Sequence, residues 1–272
     1  MSNSRDHHHV PRFYLKHFRD PNGEIHHFNK ENRGTGAKGP KGTGFKPDFH
    51  SINFGPYENA PDHGSLENYL NVAYENDQAK VLVEVLRHLE GPDDLPAKHR
   101  SMLAEITALM FLRSPKIKES FRPFAEQAES EEHTTLTAEA FQQAAFLDML
   151  SSDEVRELKT RLLLRRMHVL TAAAGAFFWS SDAPVLLYLV DSQGLKRLDQ
   201  EGKYGLNKPG ATLALPLSPK HLLLWVNGPS VAHQRETCPA SFVESVNWAE
   251  FQNATQYVYA HQPFDTKKFP FV

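Results

Sequence analysis

The sequence predicts an α+β fold, with a helical middle region packed against a mixed or antiparallel sheet formed mostly by the C-terminal half. Three observations predict it. Apolar residues recur at helical spacing through most of residues 65–174. Two pairs of apolar runs, each split by a short polar corner, follow between Gly175 and Val226. A stretch dense in glycine and proline separates residues 1–30 from the helices. At 272 residues, with 40% hydrophobic and 23% charged content, the chain is long enough to bury a sizeable core, and we read it as one domain.

The chain opens on His7-His8-His9-Val10-Pro11-Arg12-Phe13-Tyr14-Leu15-Lys16-His17-Phe18. A terminus frays unless burial repays the entropy of ordering it. Phe13, Tyr14, Leu15 and Phe18 supply that surface, so the histidines are expected to be held in place. Three histidines running straight into aromatic residues do not make an expression tag. Asp20-Pro21-Asn22-Gly23 reads as a turn and Glu24–Phe28 as a short strand, which completes an N-terminal arm and β-element over residues 1–30. Residues 31–64 carry glycine at 34, 36, 39, 42, 44, 55 and 64 and proline at 40, 47, 56 and 61, and read as one long loop. Lys38, Lys41 and Lys46 tint it positive. It lacks the Gly-Lys-Ser/Thr ending of a phosphate-cradling loop.

A helix is expected from Ser65 to Leu89, with Ser65 as its N-cap and Leu66, Leu70, Ala73, Val81, Val85 and Leu89 as its buried stripe. Gly91-Pro92 and Leu95-Pro96 end it. Further helices are expected at 97–113, 116–129, 137–150 and 153–174, enough for a bundle. Beyond Gly175, Phe177-Phe178-Trp179 and Val185–Val190 read as strands around the corner Ser180-Ser181-Asp182-Ala183-Pro184. Thr212–Pro216 and His221–Val226 read as a second pair, joined by Leu217-Ser218-Pro219-Lys220. Val243, Val246, Phe251, Ala254, Tyr257 and Val258 predict a last helix from Ser241 to His261.

Charge and cysteine content exclude several classes. The net charge of −3 draws the chain to neither nucleic acid nor an anionic membrane as a whole, so nucleic-acid binding would have to be local. The single cysteine, Cys238, excludes an internal disulfide and cysteine-based zinc or iron–sulfur sites, and a cytoplasmic location is the simplest expectation. No apolar run is long enough to span a bilayer. Neither His-Glu-x-x-His nor Gly-x-Ser-x-Gly occurs, which removes the zincin proteases and the α/β-hydrolases.

The histidine-rich opening, the Ser181-Asp182-Ala183-Pro184 corner, the Leu215-Pro216-Leu217-Ser218-Pro219 corner and the late Asn247 with Ala254 and Tyr257 together resemble the DUF4238 family. That family opens with His-His-x-x-Pro-x-x-Tyr/Phe-Leu and carries a later Ser-Asp-x-Pro. The resemblance spans nearly the whole chain, and Ala183 stands where such proteins often have Asn. It implies no assured activity, so the chemistry has to come from the residues.

His7 and His8 project to opposite sides of an extended segment. Glu67, Asn71 and Glu75, spaced by four, fall within about 80° of one another on a helix at roughly 100° per residue. Asp182 sits at a strand-end corner. His8, Glu67, Glu75 and Asp182 would make an oxygen and nitrogen set suited to a divalent metal, Mg, Mn or Zn. Such a metal could activate water against a phosphodiester, with His7, His8 and Asp182 as the catalytic groups and Arg12, Arg113, Ser181 and Asn247 on the substrate. The leading expectation is therefore a metal-assisted hydrolase, chiefly a nuclease. The alternative is a non-enzymatic binding or regulatory module that grips a protein or nucleic-acid partner with the arm and the glycine and proline loop, the corners serving as scaffold.

Overall fold

A computed structural model describes residues 6–47, 49, 70, 74–91, 95–130, 137–151, 153–191, 194–197, 210–227 and 234–265. The fold is α+β, as the sequence predicts. Among the described residues the largest sheet has six strands in the order β11-β5-β10-β9-β7-β8. Its strands are β5 (Arg166–Ala172), β7 (Leu186–Asp191), β8 (Gly194–Arg197), β9 (Ala211–Ser218), β10 (His221–Val226) and β11 (Gln234–Cys238). The pairings are antiparallel except β5 with β11, which makes the sheet mixed.

The side-chain period of two explains how this sheet is covered. Met167, Val169, Leu213, Leu215, Leu223 and Trp225 share a core with the helical region. Leu186, Tyr188, Ala214, Leu222 and Leu224, the alternate positions, pack with Phe178, Val243, Val246 and Ala249. β9 is buried at every position, as expected of a central strand covered on both faces. Trp225 Nε1 donates to Thr107 Oγ1 at 3.0 Å, which satisfies the indole where the sheet meets the helices.

The helical region contains α2 (Asn76–Glu90), α3 (Ala97–Leu112), α4 (Pro115–Ser120), α5 (Arg122–Ser130), α6 (Ala138–Ser151) and α7 (Glu154–Leu163). Ser114 caps α4, its hydroxyl accepting from Ile117 N, with Pro115 in the first turn. None of the described helices is long and apolar enough to cross a membrane. Ser65, Leu66, Glu67, Asn71 and Ala73, and the loop from 50 to 64, lie outside the described residues.

A second sheet, β3-β2-β12-β6, joins the two ends of the chain. β2 (Ile25–Asn29) pairs antiparallel with β12 (Tyr257–Ala260) and with β3 (Thr35–Lys38), and β6 (Ser180–Ser181) flanks β12. The arm forms β1 (Asp6–His8), paired with β4 (Phe45–Pro47), then a short helix α1 (Arg12–Leu15) and a 3-10 turn over Lys16–Phe18. Gly44 lies at φ +70, where a Cβ would come within 2.6 Å of Leu15, so glycine is required for the arm to seat.

Five expectations need correction, the first being the strand expected at Phe177-Phe178-Trp179, since β6 covers only Ser180–Ser181. Residues 31–47 are not a structureless loop, since β3, a 3-10 turn and β4 occupy them. The helix expected at 116–129 is two, α4 and α5. The helix expected over 153–174 ends at Leu163, and β5 follows. The final helix, α8 (Ala240–Asn253), stops eight residues short of His261 because β12 begins at Tyr257. β8 and β11 were not anticipated.

Candidate functional site

The arm is docked, as its aromatic run predicts. His7, His8 and His9 are 0%, 7% and 6% exposed. The His8 ring lies 5.7 Å from that of Phe45, and the His9 ring 5.3 Å from that of Phe49. Behind them the fully buried guanidinium of Arg113 donates to Glu75 Oε1 at 2.6 Å and to the backbone carbonyl of His8. The structure thus brings Glu75, Arg113 and His8 together, with the cation compensating the carboxylate and the peptide group of the arm. A buried arginine needs such partners, because an uncompensated charge there is costly. Arg12 is exposed on α1, apart from this group.

The second group is centred on Asp182, which is 2% exposed. Its Oδ1 accepts from Thr255 N at 2.7 Å, and its Oδ2 accepts from Gln256 N at 2.7 Å and Tyr257 N at 2.9 Å. Burial pushes its carboxyl above the ordinary value, against the pull of those three N–H groups and of Lys30. Ser181 Oγ accepts from Ala183 N at 3.2 Å, a local turn contact. Asn247 accepts from Trp179 N at 2.7 Å and donates to Phe177 O at 2.9 Å, fastening that segment to α8. Tyr14 donates to Pro216 O at 2.6 Å, so the hydrogen between Tyr14 Oη and Ser180 Oγ, 2.9 Å apart, comes from the serine. The opening, the Ser-Asp-x-Pro corner, the second corner and Asn247 are therefore joined by internal hydrogen bonds.

Sequence reasoning missed Glu250, which faces this group from α8. It is fully buried, and no described residue offers either carboxyl oxygen a well-formed hydrogen bond. Burial and the charge of Asp182 push its pKa well up, and the Ser181 hydroxyl alongside moderates this. The signal was its place beside Asn247 and Asn253, two polar residues on the inner face of an otherwise apolar helix.

Sequence reasoning also missed a pocket of about 430 Å³. The end of α2 supplies Val83, Leu86, Arg87 and Glu90; the β9–β10 corner supplies Ser218, Pro219, Lys220 and His221. His17 from the 3-10 turn, Phe177 and His261 complete the wall. The corner is fixed by Phe178 N donating to Pro219 O at 2.8 Å and Ala172 N to Lys220 O at 2.9 Å. Ser218 Oγ accepts from Lys220 N at 3.2 Å and lies 3.1 Å from His221 Nδ1. The His261 ring centroid is 4.3 Å from that of Phe177. Burial, with Lys220 and Arg235 nearby and Glu90 opposing, lowers His221 to about 4. Burial with Arg19 and Lys16 lowers His17 to about 4, and burial with His26 lowers His261 against the pull of Asp20. At neutral pH all three rings are uncharged. The signal in the sequence was Ser218 and His221 on one tight corner; the other contributors lie far apart along the chain.

Of the four expected metal ligands, Glu67 lies outside the described residues, Glu75 is engaged by Arg113 and Asp182 by backbone amides. Among the described residues, no three histidine, cysteine or acidic side chains gather as a metal site. Compared with known proteins, residues 6–264 match a family model described as a protein of unknown function, DUF4238. No curated protein and no solved structure matches the chain.

Proposed function

The chain belongs to the DUF4238 family, and we propose that it is a non-enzymatic binding module whose family motifs are scaffold and whose ligand contacts lie in the pocket at the β9–β10 corner. One observation carries this reading. Asp182, the acid best placed by sequence to be catalytic, spends both oxygens on three backbone N–H groups that turn the chain from α8 into β12. Those bonds fill three of the carboxylate's roughly four acceptor positions, so a metal or substrate at Asp182 would meet one remaining lone pair, and any N–H it displaced would lose its acceptor at a cost of up to about 1–3 kcal/mol. The pocket, by contrast, is open and sets Val83, Leu86, Phe177 and Pro219 beside three imidazoles, Arg87, Lys220 and Glu90, a lining that offers a polar small molecule several contacts. Within the arm, His7, His8, His9, Tyr14, Leu15 and Phe18 are buried, which counts against that stretch as a free grip on a partner.

The competing reading is the metal-assisted nuclease. The test is cleavage of a mixed DNA and RNA panel with Mg, Mn or Zn by the wild type, His8→Ala and Asp182→Ala, alongside thermal unfolding. We expect no metal-dependent cleavage, and a lower melting temperature for Asp182→Ala. Cleavage by the wild type that both variants lose without a change in melting would replace the binding module with a hydrolase.

A further inference from the structure

The charges lining the pocket differ in how far they are committed. Among the described residues, neither the Arg87 guanidinium nor the Lys220 ammonium meets an ion-pair or hydrogen-bond partner. Neighbouring cations are employed elsewhere: Arg235 donates to Leu89 O, and Arg19 to Lys16 O. Glu90 is the lining acid, and its charge acts on His221. The excess charge left to a ligand is therefore positive.

The imidazoles point to the same ligand chemistry. Ser218 holds His221 at Nδ1, which leaves Nε2. Among the described residues, His261 Nδ1 is buried and meets no hydrogen-bond partner. A neutral imidazole carries one N–H and so donates to an oxyanion without first being charged. Burial disfavours a bare charge of either sign, but Lys220 and Arg235 beside His221, and Lys16 and Arg19 beside His17, oppose a bound cation and favour a bound anion. Phe177 and Leu86 offer an apolar surface beside these donors.

We propose that this pocket binds a small molecule carrying an oxyanion on an apolar ring: the forked Arg87 guanidinium and Lys220 hold the oxyanion, His221 and His261 complete its shell, and Phe177 takes the ring. This names the ligand class of the binding-module reading and rests on it. The shared chemistry is an oxyanion, and its source, phosphate ester or carboxylate, is separated by the probes. Calorimetric titration at pH 7 and low salt uses phenyl phosphate, benzoate and benzyl alcohol against the wild type, Arg87→Gln and Lys220→Gln, with thermal melts confirming that each variant is folded.

The expected result is that at least one anion binds, benzyl alcohol binds about tenfold or more weakly than it, and each glutamine variant loses roughly tenfold, as removal of a charged hydrogen bond implies. The tighter of the two anions identifies the source. Benzyl alcohol binding as tightly as the anions overturns the ligand class while leaving a binding pocket. Silence with all three probes, or anion binding unchanged in both variants, overturns the proposal. Metal-dependent cleavage in the nucleic-acid assay is a separate outcome, which removes the underlying reading.

Discussion

Asp182 does the work of a helix terminator from 73 to 75 residues away in sequence. The N–H groups of Thr255, Gln256 and Tyr257 would, in a continuing helix, donate to carbonyls four residues back. Asp182 takes all three instead, and Lys30 Nζ donates to Phe251 O at 2.8 Å and to Ala254 O, satisfying carbonyls the helix end exposes. Replacing Asp182 by alanine removes the acceptor of three N–H groups at a partly buried corner. The expected loss is about 2–3 kcal/mol in denaturant unfolding, with roughly half of it restored by asparagine, which keeps one acceptor. An Asp182→Ala protein as stable as the wild type would show that these bonds do not hold the corner.

At the scale of elements, the sequence was legible where local pattern and tertiary context agree. α3, α6, β9 and β10 are long, apolar and bounded by proline or polar corners, and they stand where the periodicity places them. The sequence pattern places β5 and β12 in helices. In β12, Tyr257 and Val258 continue the helical spacing of Val243 and Val246, and no local signal records that Asp182 has claimed the amides between. In β5, Met167 and Val169 alternate inward directly after Leu162 of α7, and an alternation that short is easily absorbed into the preceding helix. The motif residues were legible as a set, because hydrogen bonds do join them. Their roles were not, since a carboxylate that ties backbone and one that binds metal look alike in sequence. Asn247 links the elements to the pocket: it bonds both sides of the segment that carries Phe177. Asn247→Ala should cost about 2 kcal/mol, and it should weaken binding of the tighter anion probe severalfold by loosening the Phe177 wall. Calorimetry and unfolding together check both, and full probe affinity in a destabilised Asn247→Ala would detach Phe177 from the ligand.

For the whole molecule, the two sets of buried titratable groups act on stability in opposite directions. His17 and His221 lie near 4 when folded against an ordinary value of 6.5, so the unfolded chain binds more protons between those values. Their contribution is fully present above about 6.5 and is lost as pH falls toward 4, each by at most about 1.4 kcal/mol per pH unit. The charged groups facing His17 are Arg19 and Lys16, and those facing His221 are Glu90, Lys220 and Arg235. Glu250 and Asp182 have folded values raised above the ordinary carboxyl range, so here the folded state binds more protons. Their contribution is present below the unfolded value and is lost as pH rises through the folded one. Where the two ranges overlap the histidines oppose the acids, and as pH rises through the folded value of Glu250, well above the ordinary one, the contribution of Glu250 is lost. Glu250→Gln removes the more strongly shifted acid while keeping its shape, so in unfolding measured across pH it should match the wild type below the ordinary carboxyl range and exceed it increasingly as pH rises. A variant curve parallel to that of the wild type would mean that Glu250 gives up its proton in the folded protein as readily as in the unfolded chain.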